Sequence, residues 1–475
     1  MSNRGNFSGR IGFILTAAGS AVGLGNIWKF PYLAGQNGGA VFLFIYLLCV
    51  FLLCYPVMVG EISIGRHAGL DAYGSYSKLG GRRWGYLGLF GIMIGIFILS
   101  FYNVVAGWAF GYFLHISFGS LLNETDYTGF FGAFVNDILN LKSAEGFANS
   151  NFIFSCVFMA MTAFIVARGI QRGIEAANKI MMPMLYIILI CIIIYALTLP
   201  NAMSGVRFYL IPDLAELKIQ TFFEGLKQAF FSLSLGMGTL MTYGSYLKKT
   251  ENIPSSVATI AIADTSVAFC AGLMVFPLVH FLQFKLNVTE VATAGPPLIF
   301  IVLPQIFHEM GPLLGRIIGG LFFLLVCFAA LTSTISLLEV PVAYLVDQKK
   351  LSRRKVSWGT ALLIFIIGLP VMVSQGMVPS LNKLFFYKGQ DYLVFVADMC
   401  DIGLTVGGCL MCIFITQRWG IENMNKELSI GSPNYAQSFI KKYVNFTIKY
   451  VCPLLLGIIS TLIIIDKFFG LENVF

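Results

Sequence analysis

Glycines and small polar residues interrupt two otherwise apolar stretches in the same way: Ala18-Gly19-Ser20-Ala21-Val22-Gly23-Leu24-Gly25-Asn26, and Ser232-Leu233-Ser234-Leu235-Gly236-Met237-Gly238. Backbone released from a helix exposes N–H and C=O groups, and inside a membrane this is tolerated only where the backbone lines a cavity. The chemistry available there is binding: amide hydrogens for an anionic group, carbonyl oxygens for a cation. Asp264 adds a carboxylate within an apolar helix, where a charge is costly without a cation and therefore marks a functional site. Groups for bond-making chemistry are not clustered. His67, His115, His280 and His308 are scattered, which gives no metal-ligand set. Cys409-x-x-Cys412 lies in an apolar span without a nearby His and reads as packing. Asp398 and Asp401 share one span, a spacing that suits gating or structure as well as acid–base work.

The elements that position these residues are membrane helices. The chain has 475 residues, 57% hydrophobic and 11% charged, with a mean hydropathy of +0.81. About eleven apolar stretches are long enough to span, near residues 9–33, 38–65, 86–119, 150–167, 178–199, 222–247, 255–283, 313–346, 356–374, 391–417 and 446–469. The predicted fold is an all-α polytopic membrane protein, one transporter domain over residues 1–475. The net charge of +8 is no nucleic-acid footprint, because most Lys and Arg fall in one alternating set of loops. This positive-inside bias places the N-terminus in the cytoplasm and, with an odd number of spans, the C-terminus outside. The first stretch lacks an Ala-x-Ala-like cleavage site and contains Asn26 and Lys29, so it reads as a retained span. No disulfide framework is expected of the ten cysteines.

If spans one to five (9–199) and six to ten (220–419) form two units, each glycine break falls in the first helix of its unit. That correspondence points to an inverted repeat, with 420–475 contributing a cytoplasmic loop and a peripheral eleventh helix. A channel would instead repeat a filter motif, which this chain lacks.

Three segments carry a family resemblance. They are Ala21-Val22-Gly23-Leu24-Gly25-Asn26-Ile27-Trp28-Lys29-Phe30-Pro31-Tyr32, Phe230 through Gly238 with Thr242-Tyr243-Gly244-Ser245-Tyr246 following, and Ala329-Ala330-Leu331-Thr332-Ser333. They resemble the neurotransmitter:sodium symporter family, the solute carrier 6 type with the LeuT fold, in its bacterial amino-acid branch. The resemblance implies a multi-pass protein of the bacterial inner membrane with two bound sodium ions. The first ion would sit against Ala21, Asn26, Ser232 and Asp264, with the substrate carboxylate completing its shell. The second would sit between Gly19, Val22, Ala329, Thr332 and Ser333. The family commonly has Asn at position 264 and, in chloride-dependent members, a Ser one turn on, where this chain has Ala268. Asp264 thus implies that no chloride is required, and it could take up a proton when sodium leaves.

Monoamine transporters of the family carry Asp at the position of Gly23, so the resemblance implies an L-amino acid. Its carboxylate would meet the Leu24 and Gly25 N–H groups and Tyr102, and its ammonium the carbonyls around Ala21, Phe231 and Ser234. The side-chain pocket would comprise Ser20, Ile98, Tyr102, Phe231, Ser234, Met237, Ser333 and Leu337, which suits a hydrophobic or aromatic side chain. Implied gates are Lys29 with Asp401 outside and Arg4 with Asp347 inside, the latter supported by Ser245, Tyr246 and Glu339. Lys replaces the usual Arg at position 29 and lacks its planar fork, so a weaker or water-mediated gate is expected. Phe7 stands where Trp is usual. Glu61 matches an acid that holds the interrupted part of span six, and Gly173 with Pro183 matches a spacing that lets span five unwind. Alternatives on the same scaffold are an amino-acid sensor, or a sodium symporter for a different small amino acid.

Overall fold

The computed structural model describes residues 5–136, 150–286, 298–375, 381 and 391–469. With no water in a bilayer core to satisfy the backbone, long apolar runs must pair their own N–H and C=O groups. Accordingly the expected stretches are helical apart from the two breaks and frayed ends, and the described residues contain no strand. Ala40–Ala68, Arg82–Phe118, Ile170–Ala196, Ile253–Leu286, Pro312–Lys349, Arg353–Val373, Tyr392–Trp419 and Phe439–Ile464 are each long and apolar enough to cross a membrane. The pair Arg10–Ala21 and Gly25–Gln36 is bent by 50° at its break and together makes a ninth such span. Two expected spans fall short of that measure among the described residues. Asn151–Ala167 has only 17 residues, and residues 222–247 divide into Ile219–Ser232 and Thr239–Gly244.

The two interrupted segments lie inside the bundle. Arg10–Ala21 packs against Ile253–Leu286, Pro312–Lys349 and Ala176–Leu197, while Ile219–Ser232 packs against Ala40–Cys49 and Tyr392–Phe414. Arg82–Phe118 and Pro312–Lys349 run along each other as a long spine beside them. Large apolar side chains such as Phe44, Ile187 and Leu362 point outward, as a lipid-facing surface requires, and the polar breaks are enclosed.

Local chemistry explains the second break. After Ser232 the backbone turns left-handed at Ser234 (φ 55°), Gly236 (φ 82°) and Gly238 (φ 79°), a region that a glycine enters freely and other residues do not. Gly236 has a second constraint: a Cβ there would stand 2.2 Å from the Leu404 carbonyl oxygen. Its freed N–H is not wasted. It donates to Glu61 Oε1 at 2.8 Å, so a buried carboxylate on Ala40–Ala68 clamps the interruption.

Candidate substrate and ion site

The two breaks face each other and enclose a small cavity. It is lined by Ser20, Ala21, Gly23, Gly25, Ile98, Tyr102, Phe231, Ser232, Ser234, Met237, Ser333 and Leu337. Leu24 is the one residue of the predicted pocket absent from this lining; its N–H donates to the Tyr102 hydroxyl at 2.7 Å. Ser234 Oγ donates to the Ser20 carbonyl at 3.2 Å, tying the two breaks together. The lining carries no charged side chain, and at Gly23 the neighbouring side chains stand close. A Cβ there would lie 2.3 Å from Ser333 Oγ and 2.5 Å from the Tyr102 hydroxyl. The cavity volume is only about 20 Å³, room for one or two waters, so a larger guest must push Phe231 or its neighbours aside.

At one edge of the cavity the Asp264 carboxylate is fully buried. It accepts from Asn26 Nδ2 at 2.8 Å, Ser232 Oγ at 2.8 Å and the Tyr46 hydroxyl at 2.9 Å. Asn26 Oδ1 in turn accepts the Gly23 N–H at 3.0 Å. Three residues predicted around one ion therefore meet at a single carboxylate. Tyr46 is an addition that sequence reasoning missed. Its only signal was a phenol within an apolar stretch, a group that seeks a partner when buried.

A second cluster of oxygens lies across the first break. Thr332 Oγ1 donates to the carbonyls of Ala329 at 3.0 Å and Val22 at 3.3 Å, and Ser333 Oγ to Val22 at 3.4 Å. Hydroxyls and carbonyls at such spacing are the hard donors that an alkali cation prefers to nitrogen or sulfur. Because the two hydroxyls now spend their protons on the carbonyls, a cation would enter by turning those protons away.

On one side of the cavity Lys29 Nζ meets Asp401 Oδ2 directly at 2.9 Å, and beyond it opens a cavity of about 520 Å³ that Phe231 also lines. Asp398, the other acid of that helix, pairs with Lys467 at 2.8 Å. On the opposite side Tyr246 donates to Glu339 Oε1 at 2.8 Å. Arg353, which sequence reasoning counted only as a loop charge, pairs with the Glu339 carboxylate and donates through Nε to the Val166 carbonyl at 3.0 Å. Phe7 is buried here, edge-on to Phe13, Tyr243 and Tyr246, with its N–H on the Tyr246 carbonyl at 3.2 Å. Asp347 accepts the Asp71 N–H at 3.0 Å, and its predicted partner Arg4 lies outside the described residues. Ile170–Glu175, which contains Gly173, is wound as a wide π-helical turn, and Pro183 sits inside the helix that follows. All ten cysteines are free thiols, and Cys409 Sγ rests on the Pro453 carbonyl at 3.4 Å.

Comparison with known proteins places this geometry in a family. The sequence model of the Sodium:neurotransmitter symporter family matches residues 4–128 and 123–471. An uncharacterized sodium-dependent transporter of Bacillus subtilis is 36% identical over 463 residues, covering 95% of this chain and 96% of that protein. Another from Haemophilus influenzae is 32% identical, covering 96% and 97%. The crystal structure of MhsT in complex with L-phenylalanine superposes with a TM-score of 0.84 at 36% identity, covering 97% of this chain and 99% of that one. This chain is therefore a member of the sodium:neurotransmitter symporter family, a sodium-dependent membrane transporter with the LeuT fold and not an enzyme.

Proposed function

We propose that this transporter carries a hydrophobic or aromatic L-amino acid into the cell with two sodium ions, by alternating access and without chloride. The observation that carries the reading is the wall of the central cavity. Gly23 leaves it open, and Ile98, Phe231, Met237 and Leu337 supply apolar side-chain surface with no charged residue among the lining. A ligand without a compensating charge in its side chain fits such a wall, since a buried unpaired charge is heavily penalised. The L-phenylalanine bound to MhsT supports the same choice.

The zwitterion's carboxylate is assigned to the N–H groups of Leu24 and Gly25, the Tyr102 hydroxyl and the first sodium. That ion is held by Ala21, Asn26, Ser232 and Asp264, and the second by Gly19, Val22, Ala329, Thr332 and Ser333. Because the first sodium and the substrate share a ligand, each raises the other's affinity by the same factor. Asp264 supplies within the protein the negative charge that chloride-dependent relatives borrow. At about 100 mV each inward charge contributes about 2.3 kcal/mol, so two sodium ions carried with a zwitterion supply about 4.6 kcal/mol before any concentration gradient. The N-terminus is assigned to the cytoplasm of a cell whose inner membrane holds the protein. The repeats are assigned to residues 9–199 and 220–419, which makes Lys29 with Asp401 the outer gate.

The test is uptake into proteoliposomes. Under an inward sodium gradient without chloride, labelled Phe, Trp, Tyr or Leu should accumulate above the outside concentration, while Gly, Glu and Lys compete hardly at all. Sodium-dependent binding without accumulation would replace this reading by a sensor.

A further inference from the structure

Two acids of the helix Tyr392–Phe414 line the large cavity, Asp398 and Asp401, and their spacing sets them about one turn apart on one helix face. Each is bound by a cation from a different element. Lys29, in the first broken segment, meets Asp401 Oδ2 at 2.9 Å, and Lys467 meets Asp398 Oδ2 at 2.8 Å from the turn Ile465–Phe469 that ends the last helix. A third pair in the cavity wall, Lys227 with Glu224, lies within one helix and joins nothing to its neighbours. Both pairs that cross between elements are sheltered: the side chains of Lys29 and Asp401 are 21% and 11% exposed, those of Lys467 and Asp398 27% and 18%. Tyr32 lies within electrostatic reach of Lys29 and of both acids, so the two pairs share one neighbourhood.

Lys467 comes from outside the two repeats assigned above. Cys452–Ile464 packs along Tyr392–Phe414, and residues 451–465 carry no charge, so this ammonium is delivered to the cavity wall by an otherwise apolar span. Opening the gate must part Lys29 from Asp401, and a sheltered carboxylate left without its cation is strongly penalised. Among the described residues Asp401 has Lys29 as its one ion-pair partner, through Oδ2, which leaves Oδ1 for a second donor. Lys467 is the cation next in line. Its ammonium has three donors on a flexible four-carbon stem, and a single helical turn separates the acid it holds from the acid that the gate releases.

Resting on the assignment of Lys29 and Asp401 as the outer gate, we infer that Lys467 is a second gating cation. It holds Asp398 while the gate is shut and bridges to Asp401 as Lys29 leaves, which lowers the cost of opening. Lys467 is absent from the lining of the central cavity and acts as a positioning residue through the two acids. Its removal has the opposite sign to removal of Lys29: Asp398 is left bare in both states, but Asp401 is stranded only in the open one.

The experiment uses the full chain in proteoliposomes and reads opening at Ile98→Cys, a position in the wall of the central cavity. The readout is the rate at which a membrane-impermeant maleimide added outside modifies that thiol, resolved from the native cysteines by peptide mass spectrometry. Lys467→Gln should slow modification about tenfold and slow dissociation of labelled phenylalanine in parallel, whereas Lys467→Arg keeps the charge and should stay within about twofold of the parent. Asp398→Asn releases Lys467 to Asp401 and should speed both rates, an effect that disappears once Lys467→Gln is combined with it. Lys467→Met serves as a second neutral variant if Lys467→Gln fails to fold. Faster modification in the neutral variants would make Lys467 a plain latch, and unchanged modification a bystander; either result overturns the inference. A parent that binds no phenylalanine would sink the amino-acid reading, and the modification rates would still decide the role of Lys467.

Discussion

The ammonium nitrogen of Lys29 sits 4.6 Å from the centre of the Phe231 ring while it bonds Asp401 at 2.9 Å. Phe231 is shared between the small central cavity and the large one beyond it, so a single cation touches both a ring of the pocket wall and the acid of the proposed outer gate. A cation over an aromatic face contributes about 0.5–2 kcal/mol, more when desolvated. Lys29→Ala should therefore loosen ring and gate together, speeding dissociation of bound phenylalanine several-fold. A cycle with Phe231→Leu, read by dissociation rates, should show coupling of about 0.5–1 kcal/mol. Strictly additive effects would mean that the ring and the gate move independently.

Asp264 receives three side-chain hydrogen bonds in a site closed to solvent. Asp264→Asn keeps the shape and removes the charge, so the sodium proposed to bind beside it would lose its counter-ion. Sodium-driven uptake should fall sharply without chloride and recover in part when chloride is supplied. Tyr46→Phe removes one donor and should raise the sodium concentration for half-maximal binding by about tenfold or more, at about 1.5–3 kcal/mol for a hydrogen bond to a charged group. Undiminished chloride-free uptake by Asp264→Asn would reject the charge-balance account.

Where the backbone breaks was readable in the sequence because the signal is compositional: glycine and serine where a spanning helix carries Leu and Ile. The residues that complete the site were not, because they come from distant parts of the chain without a local pattern. Tyr46 meets Asp264 across 218 positions. Arg353 sits amid Lys350, Arg354 and Lys355 and reads as one more loop charge until the fold turns it onto Glu339. Lys467, near the end of the last helix, reaches Asp398, a pairing that only the bundle's packing decides. The division of residues 222–247 by the left-handed turn at Ser234 through Gly238 falls where that run of glycine and serine put it.

Gly23 stands close to Ser333 and Tyr102 in the pocket wall, so added bulk there is expected to be felt. Gly23→Ala puts a methyl where two hydroxyl oxygens stand, and overpacking of this kind costs about 1–3 kcal/mol when neighbours must shift. Phenylalanine binding should weaken by tenfold or more, and Tm should fall as well, because Ser333 and Tyr102 must shift even in the empty site. Gly23→Asp should abolish amino-acid binding, since the added carboxylate would face that of the substrate. Retained phenylalanine affinity in Gly23→Ala, measured by scintillation proximity with sodium saturating, would move the substrate out of this cavity.

Away from the spans, Glu427 on the short helix Ile421–Gly431 gathers three basic side chains. Arg66 Nε is 2.7 Å away, Lys249 Nζ 2.8 Å and His67 Nδ1 2.9 Å. Burial alone would raise the pKa of this carboxyl, but hydrogen bonds from Lys249 and His67 and the charge of Arg66 outweigh it and hold the group below its ordinary value. A folded-state pKa below the unfolded one, near 4.3, stabilises the fold fully above that value and is lost as pH falls through the folded pKa. Glu427→Gln leaves the buried Arg66 side chain unpaired and should cost about 3 kcal/mol at pH 7. As the pH is lowered from about 5 the parent begins to protonate and loses part of that stabilisation, so the gap between the two melting curves should narrow from the parent's side. Tm measured in steps from pH 7 to pH 3 decides it: a gap that stays constant across that range would mean that the carboxylate's charge contributes nothing to the anchoring of this helix.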